Sequence, residues 1–322
     1  MDRNRAGRSN GLVTATTAAD TTDATTGATA PSGPRLMPGP ALVLIAMAAL
    51  HTGSALATEL FGSLGPAGTT WLRLTFAAVF LLACTGRSLW RTLKTTPRAD
   101  LLATFLLGAV SAGMMLLFSE AAARLPLGTA TALEFLGPLT VAVVASRRFK
   151  ELTWLGLAAI GVLLLTSPWA GATSLTGVLF GLGSAACWAL YVVGTAHVGS
   201  RFSASHALAV SLAVAALVAA PFGAPGAVPA LTWHTAAAVA GIAVLMPLVP
   251  FLLEMKALQR IGKTTYGTLA GLEPAVSLLA GVILIAQTPT SLQIAGTALV
   301  VAAGIGATRA EARRRTGGPA VL

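Results

Sequence analysis

Long apolar runs separated by short polar clusters dominate this chain. Ten runs stand out, at about 41–61, 67–86, 101–122, 127–146, 152–168, 175–198, 205–222, 234–257, 264–286 and 290–308, each closed off by Gly, Pro or basic residues. A helix needs about 20 residues to cross the hydrocarbon core of a bilayer, with roughly 17–25 as the working range. The pattern therefore predicts an all-α membrane protein with ten transmembrane helices. Ahead of them, residues 1–39 are rich in Thr, Ala and Gly without periodicity, which predicts a disordered tail. That tail lacks the apolar core of a signal peptide, so the first run should persist as a spanning helix.

Composition agrees. Hydrophobic residues make up 55% of the chain and charged ones 10%, against about 25% charged in soluble domains. The formal net charge of +10 raises the question of nucleic acid, but the basic residues form no stripe interleaved with stacking aromatics, so no such partner is expected. They gather between the apolar runs instead. With the N-terminal tail inside, every Lys and Arg falls on the cytoplasmic side except Arg73, within the second run, and Arg124, after the third. The positive-inside rule then predicts a multi-pass cell-membrane protein with both termini in the cytoplasm, the basic tail 309–322 included.

An internal repeat refines the architecture. Residues 123–145, ARLPLGTATALEFLGPLTVAVVA, align without a gap on residues 259–281, QRIGKTTYGTLAGLEPAVSLLAG. The register pairs Arg124 with Arg260, Thr129 with Thr265 and Pro138 with Pro274. Extended to whole runs, it predicts two five-helix repeats, 40–168 and 175–308. Five is odd, so the second copy enters the bilayer from the opposite face. Inverted repeats around a central cavity are the sequence mark of secondary transporters. The competing reading is compositional likeness between Ala/Gly/Leu-rich helices.

The repeat contains the costliest residues of the chain. Proline has no N–H for the carbonyl four residues earlier, so Pro138 frees the carbonyl of Glu134 and Pro274 that of Ala270. In lipid a free carbonyl costs several kcal/mol unless protein or a wet cavity receives it. Glu134 and Glu273 stand three positions apart in the aligned frame, hence on nearly one helix face and near the midplane. An ionised carboxylate at the centre of a span costs roughly 2.5–3.5 kcal/mol, which protonation or a water-filled cavity relieves. Such a group can carry a proton or hold a substrate ammonium. The alternative is structural: neutral carboxyls bonded between helices, or paired with Arg73 or Lys256. Glu59, Glu120 and Glu254 also fall within runs, Glu59 and Glu254 nearer the ends.

Other features are less specific. Trp188 and Tyr191 share a face inside the sixth run and either line a pocket or pack. His51 is a proton-relay candidate or a satisfied buried histidine. Cys84 and Cys187, both in apolar runs, read as inert thiols, with no metal-ligand spacing. Gly177 with Gly181, and Gly267 with Gly271, are GxxxG spacings that favour close helix packing within a monomer or in a homodimer. No HExxH, GxSxG or phosphate-binding glycine loop is present, so neither an enzyme nor an ATP-driven pump is expected, and no cofactor.

The stretch LPLGTATALEFLGPLTVAVVASRR, with TGSALATELFGSLGPAGTTWLRL (52–74), AACWALYVV (185–193) and LEMKALQRIGKTTYGTLAGLEPA (253–275), resembles the EamA family of the drug/metabolite transporter superfamily, most closely its threonine/homoserine exporter subgroup. The resemblance covers about residues 41–308. It implies two inverted five-helix repeats around a cavity and export of amino acids or related metabolites, driven by proton exchange. The candidate substrate- and proton-binding residues read from the chain itself are Glu134, Glu273, Glu120, Trp188, Tyr191 and Arg73, with Pro138 and Pro274 as helix breaks. One departure stands out: where that subgroup tends to carry an Asn-Tyr pair, this chain reads GMMLLFSEAAARL, so Met114, Met115 and Leu116 make that wall less polar.

Overall fold

The computed structural model describes residues 37–146, 149–170, 174–198 and 204–316. The predicted tail 1–39 lies almost wholly outside them, as does the end of the 309–322 tail. Among the described residues the chain is all-helical: α1 (Gly39–Glu59), α2 (Phe61–Leu64), α3 (Pro66–Thr95), α4 (Arg98–Ala122), α5 (Leu127–Ser146), α6 (Leu152–Thr166), α7 (Leu175–Val198), α8 (Ala204–Ala227), α9 (Trp233–Ala243), α10 (Val249–Leu258), α11 (Lys263–Ala270), α12 (Glu273–Leu284) and α13 (Ser291–Thr316).

Prolines mark many of the starts. Pro66 opens α3, and Pro250 and Pro274 sit in the first turns of α10 and α12. There the missing N–H would have had no helical partner. At the start of α5 the Gln287 side chain accepts the Leu127 N–H at 3.1 Å and so satisfies one of the free donors of that helix end.

Two predicted spans are each broken in the middle. Between α9 and α10 the helix widens into a π turn over Val244–Leu248, where Met246 adopts an extended backbone (φ −152°, ψ 106°) just before Pro247. Between α11 and α12 it gives way at Gly271–Leu272, where the Leu272 N–H turns back to the Leu269 carbonyl at 2.8 Å.

Nine stretches among the described residues are long and apolar enough to cross a membrane, with α9–α10 and α11–α12 each counting once. The tenth expected span is α6, which has 15 residues. At 1.5 Å per residue it reaches about 22 Å, short of a hydrocarbon core of about 30 Å. It stops because Ser167 takes a left-handed conformation (φ 38°) with Pro168 behind it. Conversely, α8 runs on through Pro221 and Pro225, past the expected end at 222, and α13 continues helically to Thr316, into the predicted tail.

Packing is selective. α3 lies against α8, α4 against α7 and α8, α5 against α7 and α12, α6 against α13, and α1 against α10 and α12. Small residues set the closest approaches: a Cβ on Gly137 of α5 would run into the Ala185 carbonyl of α7. Hydroxyl pairs tie other crossings, Thr70 to Ser119 between α3 and α4 at 2.6 Å, and Thr131 to Ser277 between α5 and α12 at 2.7 Å. Leu102, Phe105, Leu106, Leu179, Leu190 and Ile283 are exposed, as apolar side chains facing lipid would be.

Candidate functional site

Four helices and one helix break bring their residues to one place. On α3 the buried positions Thr69, Thr70, Arg73, Leu74 and Ala77 recur at helical spacing, so the face turned to the interior carries a guanidinium. α1 contributes His51 and Ser54, α5 contributes Glu134, and α12 begins with Glu273. The break between α9 and α10 delivers Met246. These six side chains, with Met114, Met115, Phe118 and Trp188 as the apolar wall, line a cavity of about 120 Å³.

Within it the partnerships are uneven. Ser184 donates to Glu134 Oε1 at 2.6 Å, with the Met114 carbonyl also in reach at 2.9 Å. Glu273 makes no side-chain hydrogen bond or ion pair among the described residues. Arg73 is 2% exposed; its Nη1 donates to the thioether sulfur of Met246 at 3.0 Å, while Nε and Nη2 have no partner among the described residues. Both ring nitrogens of His51 are likewise buried without a partner. Arg73 and Glu134 are near enough to interact through space without forming an ion pair. A buried charge in this state is costly unless something else completes it.

Most of the other expected residues lie elsewhere. Glu120 pairs with Arg124 one helical turn on, at the partly exposed end of α4. Tyr191 is near Glu254, which interacts with Tyr266, and does not join the cavity wall. Trp188 packs edge-on to Phe135, with ring centroids 6.4 Å apart, and still reaches the cavity. Pro138 lines a different cavity of about 220 Å³, together with Phe135, Gly267 and Glu311. Both GxxxG pairs are engaged inside the chain: Gly177 faces Leu125, Gly181 faces Leu133, Gly267 faces Thr308 and Gly271 faces Ile305.

Sequence reasoning missed Met246, Ser54 and Ser184. For Met246 a signal existed: MPLVP, residues 246–250, sets two prolines in the middle of an apolar run. Nothing distinguishes Ser184 from other small residues of α7.

The cavity thus pairs two carboxyls with one guanidinium and leaves hydrogen-bonding capacity on each. Donors and acceptors of both signs suit a small molecule that itself carries both charges.

Comparison with known proteins agrees in kind. Residues 175–308 match the model of the EamA-like transporter family. The threonine/homoserine exporter RhtA of Salmonella typhimurium strain LT2 is 37% identical over 273 residues, 83% of this chain and 90% of the relative. RhtA of Escherichia coli strain K12 is 36% identical over the same shares. A crystal structure of another protein superposes with a TM-score of 0.57 over 86% of this chain and 99% of its own, at 18% identity, a likeness of fold alone.

Proposed function

This chain belongs to the EamA-like transporter family, and from that premise we propose that it exports small amino acids, threonine and homoserine first among them, by alternating access in exchange for protons. The observation that carries the reading is the cavity where Glu134, Glu273 and Arg73 meet. Its volume of about 120 Å³ is well below the roughly 300–1,000 Å³ of pockets for drug-sized ligands. A metabolite of a few heavy atoms fits the space. Met114 and Met115 on the wall favour a substrate with some apolar surface.

The helix pairings support an inverted repeat of ten helices, with α6 as the short fifth. Numbering the spans in order, third-with-sixth packing is matched by first-with-eighth, fourth-with-sixth by first-with-ninth, and third-with-seventh by second-with-eighth. The pairs second–seventh, fourth–ninth and fifth–tenth map onto themselves. A pseudo-two-fold axis relating five spans to five predicts this set. The basic residues support cytoplasmic termini in the cell membrane. Glu134 and Glu273 would alternate between holding protons and facing the substrate ammonium.

The test is transport in proteoliposomes under an imposed pH gradient, with radiolabelled threonine, homoserine and a drug panel. A hydrogen bond to a charged group is worth about 1.5–3 kcal/mol, so Glu134→Gln and Glu273→Gln should each lower gradient-driven flux by about tenfold or more. Flux that ignores the gradient would indicate a channel. If both variants keep wild-type transport and pH dependence, the proton role is wrong.

A further inference from the structure

We infer that Arg73 is the carboxylate anchor of the cavity, presented side-on by Met246, so that the bound molecule is read as a zwitterion: its carboxylate on Arg73, its ammonium toward Glu134 and Glu273. The inference rests on the amino-acid reading above and deepens it.

The geometry of the guanidinium carries the argument. Its five donors form a planar fork, and the Nε and Nη2 hydrogens point the same way, along the edge that takes a carboxylate in two parallel bonds. Those are the two nitrogens without a partner. The remaining one, Nη1, is held by Met246 Sδ at 3.0 Å. A thioether is a weak acceptor, poorly suited to neutralise a buried cation but sufficient to fix which way the fork points.

Three features maintain that arrangement. The extended backbone at Met246 brings its side chain to α3, and Gly53 makes room for it, since a Cβ there would stand 2.8 Å from Met246 Cβ. Ser54 Oγ lies 3.2 Å from the same sulfur. The chain's own nearby carboxylate is kept off the fork, because Glu134 is held by Ser184. An acid is thus at hand, yet the bidentate edge of Arg73 is left unfilled. Nε and Nη2 are shut off from solvent in this structure, so the cavity has to open before a carboxylate binds there. Met246 acts through Arg73 and is a positioning residue.

Binding to the purified full-length protein tests this, by calorimetry with three probes: L-threonine, L-threoninamide, which lacks the carboxylate, and propionate, a bare carboxylate. Arg73→Lys keeps the charge but loses the fork. It should weaken L-threonine and propionate about tenfold and leave L-threoninamide unchanged. Met246→Leu should weaken the two carboxylates several-fold, and Met246→Gln, with a stronger acceptor at the same reach, should restore them. Equal losses for L-threonine and L-threoninamide in Arg73→Lys would overturn the anchor. So would Met246→Gln behaving like Met246→Leu, or the wild type binding no carboxylate. Propionate separates the two readings: Arg73-dependent propionate binding keeps the anchor even where no amino acid is transported, and transport of threonine with Arg73→Lys unaffected removes the anchor alone.

Discussion

The two proline-bearing spans whose sequences align respond to the same defect in opposite ways. α5 runs unbroken through Pro138, whereas its counterpart parts at Gly271–Leu272 and restarts as α12 with Glu273 and Pro274. Their surroundings differ in the same sense: 61% of the apolar window of α5 is buried, against 28% of the window over Thr265–Leu284. α5 is clamped between α7 and α12, with Gly137 pressed on Ala185 and Leu133 on Gly181. A proline costs one backbone hydrogen bond, and neighbours on all sides hold the helix together across the gap. With fewer neighbours, the second span bends until shorter-range bonds replace the lost one. The chemical result is that Glu134 is held in place by Ser184, while Glu273 starts a half-helix with its carboxyl unbonded. The two acids share one cavity but are not equivalent, and Glu273 is the freer to move.

The largest effect should come from tightening the two crossings. Gly137→Ala puts a methyl group into the Ala185 carbonyl, with Ala189 N at 3.2 Å leaving no way round. Overpacking of this kind costs about 1–3 kcal/mol or more, and the melting temperature in detergent should fall sharply. Gly271→Ala meets Ile305 Cγ1 and N at 3.1 Å, where a small shift of α13 suffices. Its loss should be a fraction of the first. Equal losses would mean that the broken span is as tightly held as the continuous one.

Next in size is the removal of the hydroxyl that holds Glu134. Ser184→Ala should lower transport about tenfold, consistent with about 1.5–3 kcal/mol for a hydrogen bond to a charged group. Combined with Glu134→Gln it should add little, because both act on one contact, whereas with Glu273→Gln the losses should multiply. A double-mutant cycle on flux reads this directly. Strong coupling of Ser184 to Glu273 would show that the acids move as one.

Much of this was legible beforehand, for reasons that can be assigned. Long apolar runs locate spanning helices because lipid tolerates little else, so the expected ends of α5 and α7 coincide with the observed ones and α4 differs only in starting at Arg98. α6 fell short because Ser167 and Pro168 end it early, and residue type alone did not announce a left-handed serine. The break before α12 was only half visible. Pro274 foretold a missing bond, but the site of the break depends on how little surrounds Gly271. Glu120 and Glu134 look alike as acids within spans; the distinction lay in Arg124, four residues after Glu120 and placed to pair with it. Arg73 could be read as a cavity residue, whereas its unfilled edge depends on Met246, brought from a distant span by a kink.

The smallest and most discriminating comparison is between the prolines themselves. Pro274 lies in the first turn of α12, where no helical acceptor awaits its N–H and its fixed φ suits the helix. Pro274→Ala gives up that preorganisation, mainly by freeing the unfolded chain, and should lower stability by about 0.4–1 kcal/mol. Pro138 lies inside a continuous helix, where alanine supplies the N–H that the Glu134 carbonyl lacks. Pro138→Ala should therefore leave the melting temperature unchanged or raise it. Opposite signs at these two aligned positions are the expected result. If Pro138→Ala destabilises as much as Pro274→Ala, the Glu134 carbonyl already has a partner that the proline preserves, and the continuity of α5 would have to be explained by that partner rather than by the helices packed around it.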